Sequence, residues 1–111
     1  MIAKSRRIRL TRDFERVFAV RQSVHAALFR IKIARNNFGY TRCAVVVSAK
    51  VSKRAVVRNR VRRRAWSVIA ECLDALPKSL DIVFMATPDA ARADFEAIKK
   101  ELKLNLSKRV I

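Results

Sequence analysis

Residues 55–86 read AVVRNRVRRRAWSVIAECLDALPKSLDIVFMA, and this stretch decides the fold. Apolar residues recur at helical spacing from Val57 to Leu76, and Pro77 stops the pattern, so we predict one long helix over 55–76. Leu80 to Ala86 is an apolar run, which is typical of a strand inside a sheet. A helix that leads into a buried strand indicates a domain in which helices pack on a sheet.

The sequence before this stretch supplies three further elements. Thr11 is placed to cap a helix over 12–20, which has an apolar face and acidic residues in its first turn. Residues 28–35 alternate between apolar and mostly basic side chains, so they predict a half-buried strand with a basic outer face. Turn-forming residues at 36–39 then lead to a β-branched strand around 45–47, and we expect the two strands to form an antiparallel hairpin.

A last helix follows Pro88, and its apolar residues recur at helical spacing from Phe95 to Leu106. Three helices and a small sheet in 111 residues fit one two-layer α+β domain that spans 1–111. In this arrangement the helices cover one face of the sheet. The other face is then free for a ligand.

The charge of the chain is strongly positive and unevenly distributed. Lys and Arg number 26 against 9 Asp and Glu, which gives a net charge of +17. Fourteen of the basic residues lie within 16–70, and no acidic residue occurs between Glu15 and Glu71. A solvated surface normally mixes both signs, so this segment indicates a polyanionic partner, either nucleic acid or an anionic membrane.

The residues needed for the usual enzyme sites are scarce. His25 is the single histidine, so we expect no acid–base pair, and we interpret it as a surface residue. Cys43 and Cys72 with one histidine cannot supply the four ligands of a zinc site, so we expect no recognisable metal site in the protein, and the sequence leaves open whether a single side chain binds a metal ion. Gly39 is the single glycine, which excludes glycine-rich phosphate loops.

The same residues bear on location. Two cysteines without secretory features are typical of reduced thiols, and we expect both to be buried and inert in a cytoplasmic protein. The basic segment 1–9 is not followed by the apolar region of a signal peptide, and no stretch reaches the roughly 18 apolar residues of a membrane span.

The densest basic stretch lies at the start of the long helix. On a helical wheel Val57, Val61 and Ala65 cluster on one side, so the basic residues occupy the remainder of the surface. Arginine predominates, and its planar guanidinium group binds phosphate bidentately and stacks on bases. We predict nucleic-acid contacts from Lys50, Lys53, Arg54, Arg58, Asn59, Arg60, Arg62 and Arg63.

These residues carry a resemblance to a known family. The run Arg58-Asn59-Arg60-Val61-Arg62-Arg63, with residues 46–55 before it, resembles the bacterial ribonuclease P protein subunit. A basic stretch at 6–9 followed by Phe14 and Phe18, and the apolar strand at 81–86, match the family pattern too. The sequence departs from that pattern at 44–45, where many members have a glycine, and at 49–50, where many have two lysines.

The resemblance implies a fold and an activity. The fold is similar to that of a ribosomal protein domain, with a four-stranded mixed sheet and a left-handed βαβ crossover. Members pair with a catalytic RNA, and the complex is an endoribonuclease that hydrolyses the 5′ leader from precursor transfer RNA. The RNA supplies the active site and binds the Mg²⁺ ions with the substrate, and the protein alone is inactive, so no catalytic side chain is expected.

The resemblance also implies two sets of contacts. The arginine-rich helix and the loop before it contact the catalytic RNA, and a cleft between the first helix and the sheet binds the single-stranded leader. The residues expected to bind the leader are Phe14, Arg16, Phe18, Phe29, Arg30 and Lys32. Val45 is a further candidate for the floor of this cleft, and both Phe29 and Val45 could equally be buried beneath it.

Three alternatives fit parts of the pattern. A ribosomal or other structural RNA-binding protein would have the same size and charge without a role in cleavage. A membrane-surface protein would need an exposed apolar helix face, whereas here the apolar stripe is required for the core. A DNA-binding helix-turn-helix protein would need a second helix and a short turn beside the basic helix. We therefore expect RNA partners, and neither DNA nor a membrane.

Overall fold

A computed structural model of the chain describes residues 4–20 and 23–107, so both ends of the predicted 1–111 domain lie outside the described residues. The elements are α1 (Thr11–Phe18), β1 (Val24–His25), β2 (Phe29–Arg35), β3 (Arg42–Val46), α2 (Ala55–Cys72), β4 (Leu80–Ala86) and α3 (Phe95–Asn105). Short 3-10 turns occupy Lys4–Arg6, Leu73–Ala75 and Pro88–Ala91. Within these described ranges, no helix is both long enough and apolar enough to cross a membrane.

The helix ends differ from the sequence predictions by a few residues. Leu10 is the N-cap of α1 and forms no side-chain capping bond, so the prediction that Thr11 caps this helix is wrong. The first turn of α1 contains the buried side chain of Asp13, a negative charge that stabilises a helix N-terminus. The α-helical part of α2 ends at Cys72, and a 3-10 turn follows because the chain must leave the helix before Pro77.

The strand order is β1-β2-β4-β3, so the predicted hairpin between β2 and β3 is wrong. Strand β4 lies between them, antiparallel to β2 and parallel to β3. The physical reason is burial: Ile82, Val83 and Phe84 are fully buried, and a strand that is apolar on both faces is most stable at the centre of a sheet. The parallel β3–α2–β4 unit is a crossover whose left-handedness remains a prediction.

The predicted α+β class, with three helices and a four-stranded mixed sheet, is confirmed. The layering differs in one respect, because helices pack on both faces of the sheet. Helices α2 and α3 cover the face that contains Ile82 and Phe84, which belongs to the main core. Helix α1 packs on part of the opposite face, where Val17 and Val83 share a second, smaller core. Because α1 covers part of the face that was predicted to be open, the uncovered part of that face forms a cleft beside α1.

Candidate nucleic-acid interface

The predicted contact surface for RNA lies on the loop before α2 and on the outer side of that helix. Val61, Ala65, Val68 and Ile69 are buried against the core, so the basic residues between them must face outward. Exposed members of the predicted set are Lys50, Lys53, Arg54, Asn59 and Arg63, and half-buried members are Arg58, Arg60 and Arg62. The helix therefore presents several cationic groups in one fixed arrangement.

Contacts within the protein hold part of this surface in place. Arg58 Nη1 donates a hydrogen bond of 2.9 Å to the carbonyl oxygen of Ser52, which ties the helix to the preceding loop. Arg62 Nη1 donates to Asn59 Oδ1 at 2.8 Å. Arg64, which lies outside the predicted set, donates to the carbonyl oxygen of Ala93 at 3.0 Å. Arg63 is exposed, so its guanidinium group is well placed for a ligand.

A second candidate surface is the cleft beside α1. The rings of Phe14 and Phe18 are stacked with centroids 6.1 Å apart, because the two residues are one helical turn apart. Phe14 is half-buried and packs on the second core together with Val46 and Met85 from the sheet. Phe18 is 41% exposed, so an aromatic ring faces solvent at one end of the cleft. Sequence analysis missed Val46 and Met85 as neighbours of this cleft.

The basic residues predicted for the cleft are in different situations. Arg30 is exposed on β2. Lys32 Nζ donates to the carbonyl oxygens of Phe18 at 3.0 Å and Val20 at 2.8 Å, so its charge stabilises the C-terminal end of α1. Arg16 forms an ion pair with the fully buried carboxylate of Asp81. Of these three cations, Arg30 is therefore the one placed to meet a phosphate without losing an internal contact.

Phe29 does not line the cleft, so this predicted contact is wrong. Its side chain is fully buried in the main core, on the face of the sheet covered by α2 and α3. Val45 is partly buried against the same core, but it also lines a cavity together with Phe14, so it remains a candidate for the cleft floor. Neighbouring residues of a strand point to opposite faces, so Arg30 on the α1 side requires Phe29 on the other.

A buried ionic network holds α1 against the sheet. Arg42 donates to both oxygens of Asp81, from Nε at 2.9 Å and from Nη2 at 2.6 Å. Asn36 Nδ2 donates to Asp81 Oδ1 at 2.7 Å. Arg42 Nη1 also lies 3.4 Å from Asp13 Oδ2, which connects the network to α1. Asp13 and Arg16 of α1 are therefore joined to Arg42 of β3 and Asp81 of β4.

The network sets the ionisation of its members. Burial raises the pKa of Asp81, but hydrogen bonds from Arg42 and Asn36 and the nearby positive charges outweigh it, so the pKa lies below its usual value. The hydrogen bond to Asp81 is the largest cause that raises the pKa of Arg42. Sequence analysis missed this pair, although an aspartate inside the apolar run 80–86 was a signal for a buried partner.

The two cysteines and His25 differ in their burial. Cys43 is buried, and burial raises the pKa of its thiol to about 12, while Cys72 is half-buried, so the prediction that both are buried holds for Cys43 alone. His25 is exposed in β1, as predicted. Across 4–20 and 23–107, no three His, Cys, Asp or Glu side chains are grouped so that they could hold a metal ion.

Comparison with known proteins identifies the family. The family model described as Ribonuclease P matches residues 2–110. A ribonuclease P protein component from a Pseudanabaena species is 34% identical over 109 residues, which cover 97% of this chain and 94% of that protein. The counterpart from Thermotoga maritima is 32% identical over 108 residues, covering 94% and 91%.

Two solved structures have the same fold. The RNase P protein of Thermotoga maritima, solved with a fluorophenyl thiourea, matches with a TM-score of 0.82 at 30% identity, over 95% of this chain and 100% of that chain. The Staphylococcus aureus RNase P protein matches with a TM-score of 0.84 at 25% identity, over 97% and 100%. The chain therefore belongs to the family of ribonuclease P protein components and is a protein subunit that partners the ribonuclease P RNA.

Proposed function

We propose that this chain binds the ribonuclease P RNA through the outer side of α2 and holds the 5′ leader of precursor transfer RNA in the cleft beside α1. The RNA then hydrolyses the phosphodiester bond that joins the leader to the transfer RNA. The protein acts by positioning both RNAs. The family match does not favour a ribosomal protein or another structural RNA-binding protein without a role in cleavage.

The observation that carries this proposal is the cationic surface of α2. Between Glu15 and Glu71 the sequence contains no acidic residue, so no carboxylate from this segment competes with phosphates for the arginines. The exposed guanidinium of Arg63 and the exposed loop residues Lys50, Lys53 and Arg54 belong to this segment. Binding through such a surface depends on phosphates and therefore on salt concentration.

The cleft suits a leader of variable sequence. Unpaired bases stack on aromatic rings for about 1–3 kcal/mol each with little sequence preference, and the exposed ring of Phe18 offers such a stacking surface. Arg30 supplies an exposed cation on the neighbouring strand for the leader phosphates. Arg16 and Lys32 contribute indirectly in this proposal, because their charges hold α1 in position.

Magnesium enters this proposal through the nucleic acids. Mg²⁺ prefers hard oxygen ligands and keeps several of its waters, so phosphate oxygens of the RNA and of the precursor would hold the ions. The protein would contribute by bringing the two sets of phosphates together. The free thiols of Cys43 and Cys72 are compatible with the reducing cytoplasm, where we place this reaction.

Reconstitution tests the proposal directly. The chain is combined with a bacterial ribonuclease P RNA and a precursor transfer RNA at low Mg²⁺ concentration, and release of the leader is followed over time. We expect the RNA with the protein to cleave faster than the RNA alone, and the protein alone to leave the precursor intact. If the protein stimulates no bacterial ribonuclease P RNA, the proposal is wrong.

A further inference from the structure

We infer that a cavity at the N-terminal side of α1 binds one unpaired nucleotide of the partner RNA. We call it the N-terminal cavity, and it lies between residues 4–10, α1 and the turn that joins β2 to β3. It shares no lining residue with the predicted contact surface on α2. It adjoins the cavity that Phe14 lines, with which it shares Lys4, Arg7 and Arg9, whereas Tyr40 and Arg42 line the N-terminal cavity alone. The inference rests on the proposed RNA binding and adds a site that neither surface includes.

The N-terminal cavity has the size and charge that a nucleotide needs. Its volume is about 520 Å³, within the range of roughly 300–1,000 Å³ that holds small organic ligands. Four basic residues and one acidic residue line it, namely Lys4, Arg7, Arg9, Arg42 and Asp13. Asp13 and Arg42 are paired with each other at 3.4 Å, so the remaining three cations leave the cavity positively charged. Lys4 and Arg9 are exposed and can reach a phosphate.

An aromatic wall complements these cations. Tyr40 lines the cavity, and the ring of Phe38 packs against it with centroids 5.7 Å apart. The guanidinium of Arg42 lies 4.3 Å from the Phe38 ring, and that of Arg6 lies 5.9 Å from the Tyr40 ring. Two adjacent rings thus lie between two guanidinium groups, and a nucleobase can pack against such a cluster of flat groups. Phe38 remains 49% exposed, so the cluster is accessible.

The turn that carries these rings is held rigidly. The backbone N–H of Phe38 donates to Asn36 Oδ1 at 2.9 Å, and Asn36 Nδ2 donates to the carbonyl oxygen of Tyr40 at 3.2 Å. Gly39 has a φ of +80°, a conformation that other residues rarely adopt. Asn36 is itself buried and bonded to Asp81. An exposed ring on a preorganised turn loses little entropy when it binds a ligand, which favours a binding role for Phe38.

Nucleic acid is the occupant that this chemistry favours. Exposed cations recognise phosphate, and adjacent rings recognise a base without regard to its identity. One unpaired nucleotide carries both a phosphate and a base. The RNA partner of the family supplies such nucleotides in its single-stranded segments.

Four variants test this inference in binding assays with the ribonuclease P RNA. Tyr40→Ala removes the ring in the wall, Arg9→Ala removes an exposed cation, and Leu104→Ala is a matched control on α3 with a side chain that is 48% exposed. We expect Tyr40→Ala to bind the RNA about 5- to 150-fold more weakly, the factor that corresponds to one stacked base. Tyr40→Phe should bind as the wild type does, because it retains the ring.

Arg9→Ala keeps the test decisive if Tyr40→Ala unfolds, since an exposed side chain is dispensable for folding. We expect it to lower the slope of log affinity against log salt concentration by about 0.7–0.9, the effect of one lost phosphate contact. If the wild type binds the RNA but both Arg9→Ala and Tyr40→Ala behave like Leu104→Ala, the inference is overturned while the proposed function stands. If the wild type binds no ribonuclease P RNA, both are overturned.

Discussion

Replacing Phe18 by alanine separates a structural role from a role in leader binding. Phe18 is 41% exposed, so about three-fifths of the residue is covered, partly by the ring of Phe14. Full burial of a phenylalanine side chain stabilises a protein by about 1.5–3 kcal/mol, so Phe18→Ala should cost roughly 1–2 kcal/mol. Phe29→Ala in the main core should cost about 3–5 kcal/mol, because Phe29 is fully buried. Urea unfolding of both variants measures the difference.

The binding assay uses the complex reconstituted with ribonuclease P RNA. Loss of one stacked leader base costs about 1–3 kcal/mol, which corresponds to about 5- to 150-fold weaker binding of the precursor. Affinity for mature transfer RNA should not change, because it has no leader. Leu104→Ala is the matched control, with a similarly exposed apolar side chain on α3.

Two results would refute this reasoning. If Phe18→Ala costs as much stability as Phe29→Ala, the ring of Phe18 is part of the core. If Phe18→Ala weakens precursor and mature transfer RNA equally, the ring contributes to general RNA affinity and the cleft does not select the leader. In either case the assignment of Phe18 to the leader must be withdrawn.

The remaining predictions concern the ionic network, the α2 surface and a thiol. Asp81→Asn should destabilise the protein by about 3–5 kcal/mol in urea unfolding near neutral pH, because it leaves Arg42 buried without its partner. Because the folded state lowers the pKa of Asp81, the difference in unfolding free energy between Asp81→Asn and the wild type should be full above pH 3.8, the ordinary pKa of an aspartate. The difference should shrink as the pH falls further, and a difference that grows at lower pH would contradict this prediction. Arg63→Ala should lower the salt slope of RNA binding by about 0.7–0.9, whereas Lys100→Ala on α3, which also removes one charge, should not. Cys43 should resist alkylation in the native protein at about pH 8, since its pKa of about 12 keeps the thiol protonated; labelling without unfolding would refute this.

Helical spacing and apolar runs in the sequence predicted where most helices and strands lie. They did not predict which strands pair with each other. The bounds of β4 and the start of α2 follow from an apolar run and from helical spacing, which depend on neighbouring residues. The order of the strands depends on contacts between residues about 50 apart, such as Ile31 and Phe84. A turn between two strands favours a hairpin, but the burial of β4 on both faces outweighed this local preference.

The candidate site likewise contains residues that the local sequence predicted and residues that depend on contacts between distant parts of the chain. The cationic face of α2 was predictable because all of its members lie on one helix and its preceding loop. The cleft was predictable in part, since Phe14 and Phe18 share a helix face, whereas Phe29 was assigned wrongly. The predicted alternation along β2 already places Phe29 and Arg30 on opposite faces, so the two residues could not both line the cleft. The network around Asp81 brings together residues from four parts of the chain. The apolar run around Asp81 indicates a buried partner, but no local pattern shows that the partners are Arg42, Asn36 and Arg16.

Contacts within the protein reduce the number of basic side chains that are available to bind RNA. From the fourteen basic residues in 16–70, sequence analysis inferred a polyanionic partner. Several of these residues are occupied by contacts within the protein. Arg42 and Arg16 are paired with Asp81, and Lys32 is hydrogen-bonded to the C-terminal end of α1. Arg64 donates a hydrogen bond to the carbonyl oxygen of Ala93. Net charge still attracts an RNA from a distance, because the long-range field depends on the sum of all charges. Affinity at contact depends on the smaller set of cations that can exchange water for phosphate. Among the described residues of 16–70, the exposed cations other than the paired Arg16 lie on the loop before α2, on the outer side of α2, and on β2 at Arg30 and Arg35.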